Sequence, residues 1–180
     1  LKNAHEFEGL YDDLFDFTKA GYAMINLSSP YHTEPTGIVK ELQYVSTDPD
    51  KYWMKGLATK WHVTARGPLD PKVRIKHCAQ VIGATSVPDR FLLGDYEVFP
   101  SPYEDEKYEC IVLRIDDQEL YDINTQLAVL PGVQTYLPYK PHMTLGYFKS
   151  GYTSELIDAL DDCVLDSVEF KGWDFGRMQP

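Results

Sequence analysis

Apolar residues recur along this chain at two periods, and the switches between them mark out its elements. From 5 to 20, Phe7, Leu10, Tyr11 and Leu14 keep helical spacing, and Gly21 is a stop. Residues 22–28 (YAMINLS) alternate as a strand and end in a Ser-Ser-Pro turn. Ile38, Val39, Leu42 and Val45 predict a weaker helix over 36–45, followed by a turn at Asp48-Pro49-Asp50. Residues 60–66 (KWHVTAR) alternate again. Asp70-Pro71 then has the form of an N-cap followed by proline at the first helical position, which predicts a helix to about Gly83.

The second half reads similarly. Strands are expected over 91–99 and 107–115, joined as a hairpin by the polar stretch Pro100–Glu106. Asp116 or Asp117 caps a helix to about Val129, with Leu120, Ile123 and Leu127 on one side. Pro131-Gly132 and Pro138 mark a loop before a strand over 140–148. Thr153 or Ser154 caps a short helix, and a last strand is expected over 164–170. Helices mixed with at least one hairpin make an α+β domain rather than a doubly wound parallel sheet. With 180 residues and no internal repeat, the expected organisation is an amino-terminal helical extension over 1–20 and one domain over 21–180.

Charge sharpens this outline. The net charge of −11 argues against a coat for long nucleic acid, which needs a broad basic surface. Residues 51–80 nevertheless carry seven cations against one acid, leaving the rest of the chain strongly acidic. Such a window suits a local phosphate pocket. The three cysteines, Cys78, Cys110 and Cys163, show no CxxC spacing, so buried reduced thiols are expected. No apolar run is as long as a membrane span and no secretory pattern is visible. The expected setting is cytoplasmic, with no membrane or DNA partner.

Two tripeptides carry chemistry: His62-Val63-Thr64 and His142-Met143-Thr144. In a strand, residues i and i+2 share a face, so each puts an imidazole beside a hydroxyl and turns an apolar residue to the core. The same parity adds Lys60 and Arg66 to the first face and Lys140 to the second. Two histidines at one phosphodiester can divide the work. A neutral ring takes the proton of the attacking hydroxyl or water, and a protonated ring supplies the leaving oxygen. Thr64 and Thr144 can hold the non-bridging oxygens, and Lys60, Arg66 and Lys140 can offset charge. The scheme needs no metal or other cofactor. Tyr103, in the polar loop, is a candidate for stacking on a nucleobase. Glu104-Asp105-Glu106 is read as a solvated loop.

The tandem motifs resemble the 2H phosphoesterase superfamily, on the segments TKWHVTARGPL and LPYKPHMTLGYFKSG. The likeness runs over about 21–170. It implies two β-α-β lobes about a pseudo-twofold axis, with both motifs facing a central groove. It also implies metal-independent cleavage of nucleotide phosphodiesters. YEVFPSPYEDEKYECIVLRI followed by a helix and YKPHMTLGYFKSG is similar to the phage anti-CBASS nucleases, which degrade cyclic oligonucleotide messengers. The expected substrate is therefore a small cyclic nucleotide or oligonucleotide. The alternatives are a 2′,3′-cyclic phosphodiesterase of RNA ends and a catalytically silent nucleotide- or RNA-binding module.

Overall fold

The computed structural model of the protein describes residues 20–132 and 138–176; the helix expected over 5–20 lies, but for Ala20, outside them. The architecture is mixed α+β, built on two antiparallel sheets that curl into a half-barrel. The strands are β1 (Ala23–Leu27), β2 (His62–Arg66), β3 (Arg90–Leu92), β4 (Tyr96–Pro100), β5 (Tyr108–Arg114), β6 (His142–Lys149) and β7 (Ser167–Asp174). The helices are α1 (Ile38–Glu41), α2 (Ile75–Ile82), α3 (Gln118–Leu127) and α4 (Thr153–Asp161). One sheet has the order β2-β1-β7-β3 and the other β4-β5-β6. Among the described residues no helix is long and apolar enough to cross a membrane.

Each sheet packs one face on helices, and the second sheet is also covered on part of its other face. Ile25, Val63, Ala65 and Val168 of the first sheet join Cys78, Ile82, Leu120, Ile123 and Leu127 of α2 and α3 in the larger core. Ile111, Leu113, Leu145 and Phe148 of the second sheet pack on Leu156 and Leu160 of α4 and Val39 of α1. Fully burying an aliphatic or phenyl side chain contributes about 1.5–3 kcal/mol, so these faces fix which residues point the other way. β2 and β6 are each an edge strand of their own sheet, and they lie beside one another. The two opposite faces therefore meet along the two motif strands.

Four local expectations are corrected. Over 36–45 only Ile38–Glu41 is helical; beyond Leu42 the chain is extended, with Gln43 bridged to Phe148 and the Tyr44 N–H donating to the Tyr147 carbonyl. Pairing to the free edge of β6 outweighs a weak helical period there. Asp70 caps a turn rather than a helix, accepting from the Lys72 N–H at 2.8 Å; α2 begins at Ile75, where His77 Nδ1 accepts from the Arg74 N–H at 2.9 Å. The run 91–99 is broken into β3 and β4, which belong to different sheets. The break falls at Gly94, whose N–H donates to the Arg114 carbonyl at 2.7 Å. The last strand runs to Asp174, four residues further than its pattern indicates.

β6 holds a bulge. Val112 is opposite Thr144 and Ile111 is opposite Gly146, so Leu145 is an extra residue and the alternation of faces reverses there. Gly146 is also where the chain at 56–57 crosses: a Cβ would stand 2.8 Å from the Gly56 carbonyl oxygen and 3.0 Å from Leu57 Cα. A glycine is required by that backbone approach.

Candidate functional site

Strand parity sets the site. Val63 and Met143 are fully buried, so their neighbours His62, Thr64, His142 and Thr144 face the groove, half-buried. The structure thus brings the four motif residues together on facing strands. His142 lies close enough to His62 to oppose its protonation. Burial pushes the His62 pKa down, and His142 pushes it further; Asp174 opposes both. Burial likewise lowers the His142 pKa. A hydrogen bond to the Lys140 carbonyl and the Glu97 carboxylate resist this, and Arg114 adds to it.

The tautomer of His142 is fixed by its partner. Nδ1 lies 2.7 Å from the Lys140 carbonyl oxygen, which can only accept, so Nδ1 carries the hydrogen. In the neutral ring Nε2 is then the basic nitrogen. Phe99 meets this ring edge to face at 5.1 Å and holds its plane.

The hydroxyl partners are also anchored. The Tyr139 hydroxyl donates to the Thr64 carbonyl at 2.7 Å, and the buried Asn124 amide donates to the Ala65 carbonyl at 2.6 Å. Both bonds pin β2 from outside its sheet. The Thr144 hydroxyl is hydrogen-bonded to Cys110, whose thiol burial pushes up to about 12 and so keeps protonated. Cys78 and Cys110 are buried free thiols, as expected; Cys163 is also free but half-buried.

The cations divide. Arg66 lies on the His62 face at the end of β2, half-buried, and Lys60 precedes the strand, exposed. Lys140 contributes its carbonyl to His142, while its ammonium faces Glu97 at 3.4 Å. Tyr103 stands apart. It lies beyond the Tyr108 end of β5, whereas His142 is opposite Arg114 at the other end, six residues or about 20 Å away. Its ring lies under the Lys51 ammonium, 4.3 Å from the centroid. Glu106, expected in a solvated loop, is instead buried, taking hydrogen bonds from the Tyr44 and Ser46 hydroxyls.

Motif reasoning missed four neighbours. Arg114, the cross-strand partner of His142, pairs with Glu97 at 3.4 Å and donates to the Tyr121 hydroxyl at 3.3 Å. Its Nε is buried without a hydrogen-bond partner among the described residues. A charged residue at the end of the apolar run CIVLRI was the available signal. Glu97, Phe99 and Asp174 had none, because only the strand pairing brings them to the histidines.

Past Thr144 the same face of the second sheet is covered by residues 44–54, with Tyr44, Trp53 and Met54 on Tyr108, Cys110, Val112, Phe99 and Tyr147. The groove is thereby confined to the His142–Thr144 end. No protein-family model matches the chain, and no curated protein matches it.

Proposed function

We propose that this protein is a metal-independent phosphodiesterase of the 2H type, acting on small cyclic nucleotides or cyclic oligonucleotides in the cytoplasm. The observation that carries the reading is the pair of His-x-Thr strands set edge to edge, with both imidazoles in one groove. In the reaction, the neutral ring takes the proton of the attacking water or ribose hydroxyl as its oxygen bonds to phosphorus. The bond from phosphorus to the leaving oxygen breaks, and the protonated ring supplies that oxygen with a proton. The Lys140 carbonyl on Nδ1–H and the Glu97 carboxylate favour His142 as the ring that carries the proton, presenting Nε2–H to the leaving oxygen, and the depression of the His62 pKa by His142 favours His62 as the base. Thr64 and Thr144 donate to the non-bridging oxygens, and Arg66 and Arg114 offset their charge.

The test is incubation with a panel of cyclic dinucleotides and 2′,3′-cyclic nucleotides in EDTA, with product identification. Turnover of at least one is expected. Binding without turnover would leave a silent binding module in its place, and turnover only on adding a metal would overturn the mechanism.

The pH dependence follows from the same geometry. Both imidazoles are held below the ordinary value of about 6.5. Catalysis needs one ring neutral and one protonated, so kcat/KM is bell-shaped and reports the pair rather than either ring. Its maximum is expected below pH 6.5. The rate falls as pH rises through the upper apparent pKa, where the acid loses its proton. A maximum at pH 8 or above, in a kcat/KM profile of the wild-type protein, would contradict the assignment.

A further inference from the structure

We infer that Asn26 reads a nucleobase edge, in a subsite that begins beside His62 and opens over Gly172. This rests on the phosphodiesterase reading and gives the groove a base-recognising end.

The register is the starting point. Asn26 is opposite His62 on one side and opposite Gly172 on the other, so the three residues form one row across β2, β1 and β7. Neighbouring strands are about 4.8 Å apart, which puts Gly172 about 10 Å from His62 with Asn26 between them. Ile25 and Leu27 are buried in the core, so the half-exposed Asn26 side chain faces the groove with His62.

The chemistry of the row is unusual for a central strand. Asparagine is depleted in strands, and here the neighbours on both sides are a histidine and a glycine rather than packing partners. Among the described residues the Asn26 side chain enters no hydrogen bond, so its amide keeps an acceptor and two donors unspent beside the proposed phosphate position. Every nucleobase carries an edge with adjacent donor and acceptor, and an asparagine amide matches such an edge in bidentate fashion.

Space is available where that edge would lie. Gly172 has φ +120°, a conformation side chains rarely adopt, and among the described residues no atom stands within 4 Å of where its Cβ would be. The groove floor is therefore open past Asn26. The next row, Thr64–Met24–Asp174, sets the hydroxyl that holds phosphate alongside a polarisable thioether and a carboxylate. A nucleotide whose phosphate sits between His62 and Thr64 can extend its base along β1 over Asn26 and Gly172.

The experiment compares Asn26→Ala with wild type on two substrates: the nucleotide that the panel identifies and the base-free diester bis(p-nitrophenyl) phosphate. The ratio of kcat/KM for the nucleotide to that for the diester is expected to fall about 10- to 100-fold. An unchanged ratio overturns the inference, whether both rates persist or both decline together, since the residue would then act on the histidines or on nothing. If wild type cleaves neither substrate, the catalytic reading fails on its own. The subsite is then tested by calorimetry with cyclic dinucleotides as the probe. Weakening by Asn26→Ala supports it, and equal affinity, or no binding to wild type, overturns it. A thermal melt of the variant confirms that it is folded.

Discussion

Replacing His62 or His142 by alanine is expected to lower kcat about 10²- to 10⁴-fold on whichever phosphodiester the wild type cleaves best, without unfolding the protein. Each ring supplies one of two proton transfers that must both occur. The double variant should therefore be little worse than the poorer single one, because residues acting as a unit do not contribute additively. Full activity in either single variant would refute the paired assignment. A readout independent of turnover is the titration of the remaining ring by NMR. His142 holds the His62 pKa down, so in His142→Ala the His62 resonance should titrate at higher pH. An unmoved titration would mean that the two rings do not share a groove.

How much of this was legible in the sequence depends on where the determining force lies. β1, β2 and the start of β6 were readable because one face is buried and period-2 alternation is then strongly imposed; Ile25, Val63 and Met143 are all fully buried. The four motif residues follow from that parity alone. The helix over 36–45 and the single strand over 91–99 failed for a common reason. Pairing with the edge of β6 draws Gln43 and Tyr44 onto Phe148 and Tyr147, and the Arg114 carbonyl takes the Gly94 N–H where the chain passes from one sheet to the other. Neither partner is near in sequence. The same holds for the site. Tyr103 was singled out because a polar loop gives a tyrosine little to pack against, yet Lys51 caps its ring. Arg114, Glu97, Phe99 and Asp174 gain their relevance only when β4, β5 and β7 are aligned with the motif strands.

The bulge in β6 gives the clearest test of the register on which the site depends. Strict alternation from His142 would turn residues 144, 146 and 148 to the groove and residues 143, 145 and 147 to the core. The observed register keeps Met143 and Leu145 in the core, then reverses, so that Phe148 is fully buried and Tyr147 is half-buried on the groove face, edge-on to Tyr108 at 5.1 Å. Phe148→Ala is accordingly expected to destabilise the protein by about 3–5 kcal/mol, through lost burial and the cavity left among Val39, Ile111, Leu145 and Leu156. In a chain of this size that is a fall of roughly 6–20 °C in Tm. Tyr147→Ala should cost less than half as much, since its ring is only half-buried and forfeits only part of the burial that Phe148 loses. Thermal melts of the two variants decide between the registers. If Tyr147→Ala proves the more damaging, β6 is not bulged, the parity of its outer half is reversed, and the face that carries Thr144 past His142 must be redrawn.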